Sequence, residues 1–365
     1  MARKIFVSAT SQDCGKTTTS LSLLHQARQR YPRIGFIKPV GPKPIDFNGR
    51  RIDTDPAMIA QVYGLEHLID DMCPVVVEPG MTQRMVKGEI SVAELEGRIM
   101  RAVERLDREC DFLIVEGAGH SGVGSVLGLS NARVAAMVGA PVLMVACGGL
   151  GSLVDAVNMN LALYRQEGAE VRLLVANKLI PEKRDKTLEL LHLAFRDAPF
   201  EVVGGFNYQP ILANPTLSRI AKVLGIEVAG DRQELMRIVH HVQIGASATQ
   251  RVVDMLHEDT LLLVTSSRDE LLVTLANLYT TPEYHPKIAG LVIPGKTPMS
   301  KITQQIIDAS GIPYLRIGRR TDHVFLAIHE DVAKLTAEDA EKIALIQQLA
   351  NKRFDFDHID RLFAP

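Results

Sequence analysis

The sequence lacks the features that would mark a disulfide-built, zinc-clustered or nucleic-acid-binding chain. Only four of its 365 residues are cysteine. Cys14, Cys73, Cys110 and Cys147 are irregularly spaced, with no Cys-x-x-Cys pair. That spacing argues against a zinc site, and for reduced thiols in a cytoplasmic setting rather than a disulfide frame. An excess of one charge is also missing. Lys and Arg number 41 against 43 Asp and Glu, a net charge of −2, so no bulk attraction to nucleic acid is expected. No low-complexity tract or internal repeat is visible. The first residues, Met1 to Lys4, run straight into an apolar strand pattern and do not read as a signal peptide. The run from Val134 to Val154 carries no charge, but Gly139, Pro141, Gly148, Gly149 and Gly151 interrupt it. These breakers divide it into helix end, buried strand and loop, so it is expected in a core and not in a membrane.

What is present is an ordinary globular balance, 46% hydrophobic and 23% charged, long enough for about two domains. The most informative stretch is Ser8 to Ser20. Ile5-Phe6-Val7 before it reads as a buried strand, and Leu21, Leu23 and Leu24 after it open a helix. A strand, a turn ending in Gly15-Lys16-Thr17 and a helix is the setting of a phosphate-binding loop. Backbone N–H groups and the helix dipole would hold the phosphates of a nucleotide. Lys16 would reach the β- and γ-phosphates, and the Thr17 hydroxyl would ligate Mg²⁺. Thr10, Asp13, Cys14, Gly15, Lys16, Thr17 and Thr18 are the candidate ATP-binding set. The strict motif has glycine five residues before Gly15, where Thr10 stands. Cys14 reads either as a redox handle or, more simply, as a small apolar filler.

Further along, Arg33 to Pro39 reads as a strand delivering Lys38 to the ligand side of a sheet. Lys38 would meet phosphate or a substrate carboxylate, or else be a surface lysine at a strand end. Asp53 and Asp55 either hold Mg²⁺ through water or cap the helix starting near Pro56. Residues 57–110 look mostly helical, with apolar residues spaced by three and four from Val92 to Leu106. Asp111 to Gly119 is the second strong signal, an apolar strand ending in Glu116 and a glycine loop. An acid there needs a partner, and Mg²⁺ beside a phosphate loop supplies one. His120 reads either as a contact to substrate or, more simply, as an exposed loop residue. Pro141 to Cys147 is another strand, followed by a second anion-site candidate at Gly149, Gly151 and Ser152. Val171 to Lys178 brings Asn177 to a strand end, where an amide suits an adenine edge. Strands alternating with helices predict an α/β fold with a doubly wound parallel sheet.

These motifs, in this order, resemble dethiobiotin synthetase: Gly15-Lys16-Thr17, Phe-Ile-Lys-Pro-Val-Gly (36–41), Val-Glu-Gly-Ala-Gly (115–119), Gly-Gly-Leu-Gly (148–151) and Val-Ala-Asn (175–177). Ser121 to Ala132 is more similar to the dethiobiotin-synthetase-like N-terminal domain of long bacterial phosphate acetyltransferases. The resemblance implies a P-loop NTPase domain over residues 1–214. It implies Lys16 and Lys38 as catalytic residues on phosphates and the reacting group, Mg²⁺ on Thr17, Asp55 and Glu116, and Asn177 at adenine. A homodimer follows from it by analogy only. Two departures bear on the substrate. Ala9 replaces the loop's opening glycine, and Ser152-Leu-Val-Asp155 stands where the synthetases carry the Asn-His pair that seats their diamine.

The second half, 215–365, resembles the DRTGG domain over about 225–330, with Gly230 to Leu235, His240 to Ala246 and Thr260 to Asp269 as matching segments. Adjacent His240 and His241 would point to opposite strand faces, which disfavours a shared metal. Arg268-Asp269 and Arg319-Arg320 form a ligand site or simply solvated charge. Thr336 is expected to cap a last helix with Asp339 at its third position, running to about Lys352. No nucleophilic cysteine with a partner histidine is legible here, so a glutamine amidotransferase domain is not expected. The chain is expected to stop where an acetyltransferase domain would begin, so it would not be an acetyltransferase by itself. The resemblance leaves two functions open: a nucleotide-dependent regulatory or ATPase role, or an ATP-dependent ligase of the dethiobiotin-synthetase kind.

Overall fold

Short runs of apolar residues, too short for helices, set the framework. Ile5 to Ala9, Phe112 to Glu116 and Val142 to Ala146 are buried at every position, the pattern of strands covered on both faces. In the computed structural model, which describes residues 2–330 and 335–364, the chain divides into two compact units. One is Met1–Gln209 together with Leu335–Pro365, the other Pro210–Lys334.

The first unit is built on β1 (Arg3–Ala9), β2 (Ile34–Ile37), a hairpin of β3 (Pro44–Phe47) and β4 (Arg50–Asp53), β5 (Phe112–Glu116), β6 (Val142–Ala146), β7 (Val171–Ala176) and β8 (Glu201–Gly204). Its main sheet has the order β8-β7-β6-β1-β5-β2, parallel throughout. The chain moves from β1 to the β2 edge, returns to β5, then builds outward on the other side from β6. The direction therefore reverses at β1, between β5 and β6. In a doubly wound sheet the crevice for ligands lies at that switch point, beyond the carboxyl ends of the strands. The helices are α1 (Lys16–Ala27), α2 (Thr54–Tyr63), α3 (Val92–Glu109), α4 (Asn131–Met137), α5 (Leu150–Glu167) and α6 (Arg184–Ala194). Helix α3 buries Leu95, Ile99, Ala102, Val103 and Leu106, one stripe at helical spacing. The charge-free run splits as expected, into α4, β6 and the start of α5. Among the described residues, no helix is long and apolar enough to cross a membrane.

The second unit comprises α7 (Leu217–Leu224), β9 (His241–Ile244), α8 (Thr249–Asp254), β10 (Thr260–Leu263), α9 (Asp269–Tyr279), β11 (Ile288–Pro294), α10 (Lys301–Ser310), β12 (Tyr314–Ile317) and α11 (Thr321–Glu330). Its sheet is parallel in the sequential order β9-β10-β11-β12. Two apolar clusters form its core, one around Leu262, Leu275 and Ile293, the other around Leu261, Leu315 and Ile220.

Residues 335–365 do not extend this second unit, contrary to the domain expected over 215–365. Helices α12 (Ala340–Arg353) and α13 (Phe356–Leu362) lie in the first unit. The reason is apolar. Phe356 packs on Phe112 at 5.7 Å between ring centroids, and Phe354 on Phe206 at 5.4 Å. The Gln26 amide donates to the carbonyls of Ala350 and Phe354. Asp360, buried, accepts from the Tyr31 hydroxyl at 2.6 Å and pairs with Arg3. Helix α12 also begins four positions after the expected Thr336 cap. Asp339 turns back to accept from the backbone N–H and hydroxyl of Thr336, and so stands just before the helix and not in its first turn. His240 and His241 part as expected. His240 faces Asp259 at 3.5 Å, and His241 packs against His257 with the rings tilted by 43°. Arg268 is held by Glu270 and the carbonyls of Gly245 and Ser247, and Arg320 by Asp322.

Candidate functional site

Residues 10–15 link β1 to α1. The loop leaves the sheet still tied to β6, because Thr10 N–H donates to Val145 O at 2.9 Å. Asp13 (φ 59°) and Gly15 (φ 99°) adopt left-handed backbone, a geometry that turns successive N–H groups toward one concavity. At Gly15 the requirement is also steric, since a Cβ would run into the Asn177 amide. Gly15 O then accepts from Thr19 N–H and starts α1.

Below this loop the structure brings together residues far apart in sequence. The Thr17 hydroxyl donates to Glu116 Oε1 at 3.0 Å, and the Ser20 hydroxyl to Oε2 at 2.6 Å. Glu116 is 1% exposed. Burial pushes its carboxyl above the ordinary range and nearby Asp55 adds to this, while Lys38, Ser20 and Lys16 oppose it. Burial also lowers the Lys16 pKa, against the pull of Glu116. Lys38 is buried. Its Nζ donates to Asp53 Oδ1 at 2.8 Å and pairs with Asp55. Burial alone would lower its pKa, but Asp55, Asp53 and Glu116 outweigh that and hold it above the ordinary lysine value. Asp53 also caps α2 by accepting from Asp55 N–H, so the capping alternative and the charged role coincide in one residue. The site thus sets two ammonium groups among three buried acids at the ends of β1, β2 and β5. A hydroxyl and a carboxylate 3.0 Å apart are hard oxygen donors of the kind Mg²⁺ takes.

Other expected residues are placed differently. Asn177 is 3% exposed. Its Nδ2 donates to Cys14 O and its Oδ1 accepts from Phe206 N–H, each at 2.8 Å. Its amide therefore buckles the loop to the exits of β7 and β8, with one N–H and one oxygen lone pair beyond these bonds. Gly149 caps α5, Gly151 has open space around it, and the Ser152 hydroxyl donates to Gly149 O at 3.0 Å. His120 is exposed and its ring accepts from Gly122 N–H. The cysteine expectation fails at one pair. Cys14 and Cys147 are joined as a disulfide, while Cys73 and Cys110 are free and buried. Spacing concealed this because β1 and β6 are neighbours only in the folded sheet.

Three supporting residues escaped the sequence reading. Ser20 follows Thr17 by three positions, one helical turn on the same face, a legible signal. Asn160 donates to Thr10 O and accepts from Ser121 N–H, and Asn131 brackets Ala118. Asn160 reaches Thr10 from a helix 150 residues on, and nothing local announces it, whereas Asn131 lies only 13 residues past Ala118.

Residues 3–224 match the family described as AAA domain. The chain belongs to that AAA domain family. Residues 219–330 match the DRTGG domain. The AAA domain is similar to the ATP-dependent dethiobiotin synthetase of Idiomarina loihiensis, 25% identical over 187 residues, covering 51% of this chain and 84% of that protein. Both domains together are similar to the phosphate acetyltransferase of Nitrosomonas europaea, 23% identical over 385 residues, covering 99% of this chain and 53% of that protein. The chain thus spans about half the length of the phosphate acetyltransferases it matches. Among solved structures, the MinC:MinD cell division protein complex of Aquifex aeolicus is 13% identical, covering 58% of this chain and 84% of that one with a TM-score of 0.35.

Proposed function

We propose that the AAA domain binds Mg-ATP on residues 10–18 and uses it as a signal or in slow hydrolysis. The observation that carries this is the Thr17–Glu116 contact beneath a left-handed loop that ends in Lys16. Bound Mg²⁺ would supply positive charge beside the phosphates. Thr17 and Glu116 would hold it, with Asp55, an acid near enough to act on Glu116, as the third ligand. The N–H groups of the loop would orient the triphosphate, and Lys16 would place its ammonium on the β- and γ-phosphates. One observation favours signalling over ligase chemistry. Lys38, the expected second catalytic lysine, already spends two of its three N–H donors on Asp53 and Asp55, leaving one for a substrate. Gly149, Gly151 and Ser152 would receive any second anion. A homodimer and residence in the cytoplasm complete the reading.

Titration calorimetry with Mg-ATP on wild type and Lys16→Ala tests it, with binding expected in the first and lost by more than about tenfold in the second. ATP turnover is then followed with and without 7,8-diaminopelargonate and bicarbonate. Unchanged turnover supports signalling, and stimulation by the pair supports the ligase instead.

A further inference from the structure

Cys14 sits within the phosphate loop, and Cys147 immediately follows β6. Their positions are 133 residues apart in sequence, yet their Cα atoms lie 5.3 Å apart and their sulfurs are bonded. That separation is one a disulfide spans without backbone movement. The sheet creates it, since Ala9 at the end of β1 pairs with Val145 of β6. The two sulfurs differ in access. Cys14 has no exposed surface, whereas Cys147 is half-buried and is followed by exposed Gly148 and Gly149. A small thiol or disulfide would therefore reach the bridge at Cys147.

We propose that Cys14 and Cys147 form a reversible thiol–disulfide switch on the phosphate loop, and that the dithiol form is the one that takes Mg-nucleotide well. In the bonded form four ties fasten the loop. Thr10 N–H is held by Val145, Thr10 O by Asn160, Cys14 O by Asn177 and the Cys14 side chain by Cys147. Only the last is covalent. It also joins the phosphate loop to the Gly148–Gly149 segment leading into α5, so the two loops flanking the switch point cannot part to admit a triphosphate. The oxidant is a small-molecule disulfide, RSSR. The protein dithiol and RSSR give the protein disulfide and two RSH. One S–S bond breaks, one forms, and the two thiol protons pass to the released RSH.

This inference rests on the Mg-ATP reading, and the experiment separates the two. The full chain is incubated with glutathione disulfide or with dithiothreitol. Free thiols are then counted by alkylation after denaturation, and Mg-ATP affinity is measured by calorimetry. The reduced chain should show all four thiols. The oxidised chain should show only Cys73 and Cys110, with a Cys14–Cys147 cross-linked peptide in the mass spectrum. Oxidation should weaken Mg-ATP binding by at least about fivefold, and by reciprocity saturating Mg-ATP should disfavour oxidation by the same factor. Cys147→Ser and Cys147→Ala should bind equally under both conditions, with the reduced wild-type affinity. Four thiols after oxidation, or equal affinity in the two wild-type forms, overturns the switch. Absence of binding in both forms overturns the nucleotide reading and the switch with it.

Discussion

Lys38 holds a full positive charge where almost no water reaches it, between Asp53 and Asp55. Removing one partner of such a group leaves buried charge uncompensated, at a cost of about 3–5 kcal/mol. Lys38→Met is therefore expected to destabilise the first unit by about that much in urea unfolding near neutral pH. Because the folded pKa lies above the ordinary 10.5, the lysine's contribution is complete below 10.5 and fades only as pH rises through the higher folded value. The deficit of the variant should thus be the same at pH 7 and pH 9. Glu116 runs the other way. Burial raises its pKa above the ordinary 4.5, so its folded state keeps a proton that the unfolded chain gives up. Without Mg²⁺, Glu116→Gln should gain stability relative to wild type as pH rises above 4.5. Added Mg-ATP should raise the melting temperature of wild type but not of the variant. Most of these charged positions were legible, because each ends a buried strand or opens a helix. The partners were not. The sequence leaves Lys38 facing phosphate, substrate or solvent, and only the hairpin of β3 and β4 returns Asp53 to it. Asn177 was marked correctly as a strand-end amide, but its bonds go to backbone that no local pattern reveals.

At the scale of elements, α1 carries two loads. Its first two turns bear Lys16, Thr17 and Ser20, while Gln26 in its last turn and Arg30 and Tyr31 just beyond it receive α12 and α13. Phe356 is buried against Phe112, itself stacked on Tyr31 at 5.3 Å. Phe356→Ala should cost about 3–5 kcal/mol in urea unfolding of the first unit. The cap of α4, where the Ser130 hydroxyl accepts from Arg133 N–H at 3.1 Å, is a smaller matter, with Ser130→Ala expected at about 1 kcal/mol. Nearly every strand of the first sheet was legible as a short apolar run, and the tail was legible as a helix to about Lys352, without the second helix, α13, that follows it. Its destination was not. A helix read from its start signals says nothing of which neighbour will cover it.

For the whole molecule, a single boundary drawn near residue 215 leaves the first unit incomplete. A chain cut after residue 214 would expose the aromatic faces of Phe112 and Phe206 that Phe356 and Phe354 cover. Such a chain should be less soluble than the full protein and should melt at a lower temperature, both measurable by calorimetry and sedimentation. If it melts as the full chain does, the tail is ornament. The order of synthesis makes the same point. The strands and the phosphate loop of the first unit are translated by residue 209, but the helices that close it follow only after the second unit. At about 5–20 residues per second, roughly 8–30 s pass between these events. In that interval the inserted unit can fold to completion while its host waits with open aromatic surface, which is where a chaperone would be needed.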